Sequence, residues 1–245
     1  MKKGVRYKKS PLIEALCELQ FQKTGMVPNI ILGKLYEQIE EDFPTVETYK
    51  GIGVKPDDDK LSQSIVVEER TRFVSKDKTR LIQVGEGLLV ANQLKPYVDY
   101  SSFRTFVKGV VDTYYKVAKP EGLQSIGMRY INRVEIKSDQ SLGDVFNIGF
   151  TMPDTFQSFP DPFLLRTEFA YPEGQDRLIV ILATSQMQDN STKAIMLDFD
   201  YRLVEPKGID ENLLEWLDKA HEKIEDAFYA CLKESVLASF DIENT

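Results

Sequence analysis

The sequence predicts an α+β fold of two similar units, each a strand, a helix, three antiparallel strands and a long helix, packed as a pseudo-symmetric pair. Three observations carry this expectation. Arg70-Thr71-Arg72-Phe73 and Arg80-Leu81-Ile82-Gln83-Val84 flank a turn over Ser75 to Lys78, and Arg166-Thr167-Glu168-Phe169 and Arg177-Leu178-Ile179-Val180-Ile181 flank a turn through Pro172-Glu173-Gly174. Each half thus holds a hairpin with β-branched or aromatic flanks. An apolar segment follows each hairpin, Leu88 to Leu94 and Ile195 to Leu203, and a long amphipathic helix follows each of those.

The elements follow in order. Ile13 to Phe21 alternates apolar and polar side chains as a strand does, and a helix is expected near Pro28 to Asp42. The first hairpin and Leu88 to Leu94 lead into a helix from about Ser101 to Val117, with Phe103, Phe106, Val107, Val110, Val111 and Tyr114 at helical spacing. The units meet near Pro120-Glu121-Gly122, dividing the chain into residues 1–120, with a basic tail over 1–10, and 121–245. The second unit reads as a strand over Ile126 to Ile136, a short helix near Leu142 to Phe146, the second hairpin, a strand over Ile195 to Leu203 and a final helix. Asp210 is placed to cap that helix, and Leu213, Leu214, Leu217, Ala220, His221, Ile224, Phe228 and Cys231 form its stripe.

Composition excludes several classes. The 245 residues are 42% hydrophobic and 29% charged, enough to fill a core and unlike a disordered chain. Two cysteines and one histidine cannot supply a four-thiolate zinc site, a disulfide framework or chemistry that needs two imidazoles. The net charge of −8 is unevenly spread, since residues 1–120 hold 20 Lys/Arg against 16 Asp/Glu and the remainder 11 against 23. The basic start runs into Ser10-Pro11 and then Glu14 and Glu18, with no apolar stretch of signal-peptide type, so a cytoplasmic location is expected. No membrane association is expected. Nucleic-acid binding is not expected outside the basic first half, because acidic surfaces repel phosphate. A protein partner or self-association is expected, the basic half of one copy meeting the acidic half of another.

Four groups of residues are chemical candidates. Glu14 and Glu18 share one face of the first strand, about 13 Å apart, too far for a shared acid/base pair. In Gly127 to Ile136, alternation puts Met128, Tyr130, Asn132, Val134 and Ile136 on one face and Arg129, Ile131, Arg133 and Glu135 on the other. Arg129 and Arg133 are placed either to hold carboxylates or phosphates or to pair with Glu14 and Glu18 on a neighbouring strand. Asp198 and Asp200 share one side of a strand, a spacing used to hold Mg²⁺ in nucleases, with Glu168 as a possible third acid. His221 lies on an apolar stripe, where a lone histidine reads as a core residue satisfied by one hydrogen bond. Val84-Gly85-Glu86-Gly87 reads as a turn between strands, and no motif for a cofactor appears, so none is expected.

Three pieces taken together resemble a sporadically distributed family of uncharacterised bacterial proteins. They are Tyr7-x-x-Ser10-Pro11-Leu12-x-Glu14-Ala15-x-x-Glu18-x-Gln20-Phe21, Gln83-Val84 with Asn92-x-Leu94-x-Pro96-Tyr97, and Arg129-Tyr130-Ile131-Asn132-Arg133. The resemblance singles out Glu14, Glu18, Asn92, Tyr97, Arg129, Tyr130, Asn132 and Arg133 as ligand- or partner-binding residues. It implies a place in anti-phage defence or toxin control. The expectation is a non-enzymatic binding or sensing module, and the rival reading is a metal-dependent nuclease or phosphohydrolase on Asp198, Asp200 and Glu168.

Overall fold

The computed structural model describes residues 7–24, 26–57, 60–137, 140–150, 153, 155, 162–171, 176–185, 193–204 and 209–242, with only the backbone described at 23–24, 51–57, 60–68, 193, 204 and 209–211. In chain order these form β1 (Leu12–Thr24), α1 (Pro28–Ile39), β2 (Thr45–Asp57), β3 (Lys60–Val74), β4 (Arg80–Gly85), β5 (Leu88–Leu94) and α2 (Tyr100–Ala118). They continue with β6 (Pro120–Ile136), α3 (Leu142–Val145), β7 (Leu164–Ala170), β8 (Asp176–Thr184), β9 (Lys193–Val204), α4 (Ile209–Cys231) and α5 (Glu234–Ser239). The turn expected through Pro172-Glu173-Gly174, the Asp210 side chain and the basic residues Lys2, Lys3 and Arg6 lie outside the described residues.

The expected pair of packed units is not what forms. A single nine-stranded antiparallel sheet runs β2-β3-β4-β5-β1-β6-β9-β8-β7. Its seam is the pairing of β1 with β6, where Ala15 lies opposite Tyr130, Cys17 opposite Met128 and Leu19 opposite Ile126. Backbone donors and acceptors that would have formed the edges of two separate sheets are consumed in one ladder. The halves also differ in content. Residues 45–57, which carry no clear periodicity, form β2 and pair with β3, so the first half supplies five strands. The helix after β6 is four residues long, against twelve after β1.

Strand alternation divides the sheet into two faces. One face carries Ala15, Cys17, Leu19 and Phe21 from β1, Ile126, Met128 and Tyr130 from β6, and Leu197, Phe199 and Tyr201 from β9, all buried. The helices cover this face. Tyr36 of α1 stacks on Phe73 of β3, Tyr114 of α2 stacks on Phe21, and Phe228 of α4 meets Phe199 edge-on. Helix α2 begins where Asp99 accepts the Ser102 N–H at 2.7 Å. It buries Phe103, Val107, Val110, Val111, Tyr114 and Ala118 at helical spacing and ends where Lys119 adopts a left-handed φ of 46°. Among the described residues no helix is long and apolar enough to cross a membrane. Cys17 and Cys231 are free and buried. Burial pushes the Cys231 thiol up to about 11 and raises Cys17 as well, so both are protonated at neutral pH.

The Val84 to Gly87 segment is the turn expected. Gly87 sits at φ +63°, and a Cβ there would lie 2.8 Å from the backbone oxygen of Phe21, whose N–H donates to the Gly87 carbonyl. Neither the conformation nor the close approach admits a side chain. Replacing Gly87 with alanine should therefore cost about 1–3 kcal/mol of stability. In urea unfolding the midpoint should fall with no change in slope; an unchanged midpoint would contradict this reading.

Candidate functional site

The candidate residues separate onto the two faces of β6. Tyr130 and Asn132 point to the helix side, and Arg129 and Arg133 to the other.

On the side away from α1, α2 and α4, arginines pair with carboxylates across and along the strands. Arg129 Nε donates to both oxygens of Asp198 at 2.8 and 3.0 Å, and its Nη2 completes a bidentate pair. Arg202 donates through Nη1 to Glu18 and through Nη2 to Asp200, each at 3.1 Å. It reaches Glu18 by lying across Gly127, which is opposite both residues in the ladder. A Cβ on Gly127 would meet Arg202 Nη2 and Asp200 Oδ1 at 3.1 Å. Asn92 donates to Glu14 at 2.6 Å and accepts from Gln83 at 2.9 Å, and Gln83 in turn accepts from Arg72, whose guanidinium lies 3.7 Å from the Tyr49 ring centroid. This relay crosses five strands. Pairing of Arg129 and Arg133 with Glu14 and Glu18 is not observed. Arg129 takes Asp198 on the other neighbouring strand, and Arg133 takes Glu135 at 3.2 Å, because the register sets Ile131 opposite Glu14 and leaves Gly127 opposite Glu18.

The carboxylates of the rival metal reading are all engaged by arginine. Asp198 is held by Arg129 and Asp200 by Arg202, while Glu168 accepts from Arg177 at 2.8 Å and Arg166 at 3.0 Å. Glu168 stands two strands from Asp200, about 10 Å away across the sheet. Among the described residues no three His, Cys, Asp or Glu side chains gather as a metal-holding group. Burial raises the Asp200 carboxyl against the pull of Arg202, and its Oδ1 is buried with no hydrogen-bond partner.

On the helix side, a cavity of about 490 Å³ opens where the start of β1, the segment after β5, the first turn of α2 and the middle of α4 meet. That volume lies within the range of small-molecule sites. Tyr7, Ser10, Pro11 and Leu12 form one wall. They are held by the residues just after α5, since Lys8 and Lys9 N–H groups donate to the Asp241 and Phe240 carbonyls and Tyr7 meets Phe240 edge-on. A cis Lys95–Pro96 bond turns the chain from β5 to Tyr97, which forms a second wall with Val98 and Tyr100. Helix α4 supplies His221, Ile224, Glu225, Phe228 and Tyr229. Tyr130 and Asn132 reach it from β6.

The polar groups form one connected set. Tyr130 Oη lies 3.0 Å from His221 Nδ1 and 3.4 Å from Tyr97 Oη. Tyr100 stacks flat on His221, with ring centroids 3.8 Å apart, and donates to Asp218 at 2.7 Å. Arg104 clamps the same carboxylate from α2. Burial raises the phenols of Tyr97 and Tyr130. Burial also lowers the His221 imidazole from its ordinary value of 6.5, against an upward pull from Glu225 and Asp218. The shift favours the neutral imidazole.

Of the residues singled out by sequence, Tyr97, Tyr130 and Asn132 meet in this cavity. Glu14, Glu18, Asn92 and Arg129 lie on the opposite face. Arg133 lines a separate groove of about 710 Å³ with Lys8, Lys9, Lys95 and Lys137. The sequence reads His221 as a core residue and assigns no site role to Tyr100, Asp218 or Glu225. The helical spacing of 218, 221 and 225 on one face was the signal available. In comparison with known proteins, no family model and no curated sequence matches the chain.

Because the chain has one histidine, its imidazole proton resonance is a single reporter of the cavity. An NMR titration should give a midpoint below 6.5, and one at or above 6.5 would contradict the buried setting. The unfolded chain takes up the proton at higher pH than the folded one, so this group lets stability rise with pH through the window between the folded midpoint and about 6.5.

Proposed function

We propose that this protein is a recognition module that binds a small organic ligand in the aromatic cavity between the start of β1, α2 and α4. One observation carries the reading: a cavity of about 490 Å³ whose walls come from four separate parts of the chain and converge on the connected Tyr97–Tyr130–His221 set. Ligand sites are concave, mainly apolar and equipped with a few placed polar groups, and this cavity has each property. Its walls include Tyr7 and Ser10 to Leu12, beside which Lys8 and Lys9 pair with Asp241 and Phe240, so occupancy would tighten the contact between that segment and α4. A protein that reports ligand binding to a partner needs such a coupling. The role in recognition, as opposed to catalysis, agrees with Asp198, Asp200 and Glu168 each being engaged by arginine on the other face.

A fragment screen by saturation-transfer NMR tests the proposal. Val98 lines the cavity yet is 51% exposed, so tryptophan in its place blocks the mouth without entering the core. Hits should appear with the native chain and disappear in Val98→Trp, with the unfolding midpoint unchanged. An empty screen, or hits that survive Val98→Trp, would contradict the reading.

A further inference from the structure

Far from the cavity, the sheet ends on β7, and the side chains of this strand follow a self-complementary order. Among the described residues β7 pairs with β8 alone, so its outer row of backbone N–H and C=O groups faces away from the sheet. An edge of this kind accepts a further strand. Within its seven residues Leu164 is 69% exposed and Phe169 50% on the surface of the whole chain. Single exposed apolar side chains are ordinary, but two on one short edge strand favour pairing there.

The register with β8 fixes the faces of β7. Leu165, Thr167 and Phe169 lie opposite the buried Leu182, Val180 and Leu178 and share the helix side, while Arg166 and Glu168 lie on the other. On that other side Glu168 accepts from Arg166 at 3.0 Å and from Arg177 of β8 at 2.8 Å. A second copy of the chain, turned about a two-fold axis at Thr167, pairs antiparallel with this edge and keeps each face on its own side. Thr167 then faces the partner's Thr167, Arg166 faces the partner's Glu168, and Leu165 faces the partner's Phe169. Opposite charges, threonine pairs and apolar pairs are the cross-strand combinations that stabilise a sheet. Moving the axis by one residue, to Arg166 or to Glu168, sets like charges directly opposite each other. The order Leu165-Arg166-Thr167-Glu168-Phe169 thus complements itself in the register centred on Thr167.

We propose that the chain forms a two-fold dimer in which the β7 edges of two copies pair antiparallel about Thr167, joining their nine-stranded sheets into one. The charge gradient along the sequence predicts a head-to-tail contact between unlike halves. The β7 contact instead uses the same edge on both copies and closes at two. With one strand on each side it is small for a protein interface, so the dimer is weak, and its ion pairs make it weaker in high salt.

Sedimentation velocity at low salt tests this with the native chain and two charge variants, Arg166→Glu and Glu168→Arg. The native chain should pass from monomer to dimer as its concentration rises toward about 1 mM. Each variant alone sets like charges opposite at both pairs and should associate about tenfold or more weakly. An equimolar mixture of the two should regain the dimer, because the acidic edge of one then meets the basic edge of the other. A native chain that stays monomeric at about 1 mM, variants that associate as the native chain does, or a mixture of folded variants that stays monomeric would each overturn the pairing. Where circular dichroism shows either charge variant unfolded, Phe169→Lys at its exposed position takes its place, and association unchanged by that substitution would overturn the pairing as well.

Discussion

The pairing of β1 with β6 is the constraint on which the remaining structure depends. It turns two sets of strands into one sheet, and it fixes in register the residues that both faces use. On one side it sets Gly127 between Glu18 and Arg202, so that an arginine from β9 spans to a carboxylate two strands away. On the other it delivers Tyr130 and Asn132 beside Leu12 at the mouth of the cavity. A slip of one residue would exchange the faces, burying Arg129 among the rings and exposing Tyr130.

The two faces of β6 obey different physics. Toward the helices, apolar burial dominates, and some polar atoms that enter, such as the Tyr114 and Tyr201 hydroxyls, are buried with no hydrogen-bond partner among the described residues. Away from the helices, charge dominates, and the carboxylates of Glu18, Asp198 and Asp200 persist because Arg129 of β6 and Arg202 of β9 hold them. Asp200 is the incomplete member, with one oxygen buried and unpartnered.

Much of the fold was legible in the sequence because local signals were strong. Alternation gave β1, β6 and β9, helical spacing gave α2 and α4, and turn chemistry gave the hairpin at Ser75 to Lys78, where Asp77 accepts from Ser75 and Thr79. β2 was not legible, since Gly51, Gly53 and Pro56 interrupt its pattern and its pairing with β3 is a tertiary matter. Nor was the merging of strands into one sheet, because alternation says which face a residue takes and not which strand lies beside it. The site was half legible. Tyr97, Tyr130 and Asn132 stood out, but their separation from Glu14, Glu18 and Arg129 follows from the pleat, and the partner of Arg129 from the register with β9. The meeting of Tyr100 with His221 joins two helices distant in sequence, which no local pattern encodes.

Native-state hydrogen exchange tests most directly the claim that the β1–β6 seam makes one cooperative body. Amides of Ala15 to Leu19 and Ile126 to Tyr130 should exchange slowest of all, with a single common free energy equal to that of global unfolding. Two separate values, one for β1 with its first-half neighbours and another for β6 with β9 and β8, would show that the halves open independently and contradict the account.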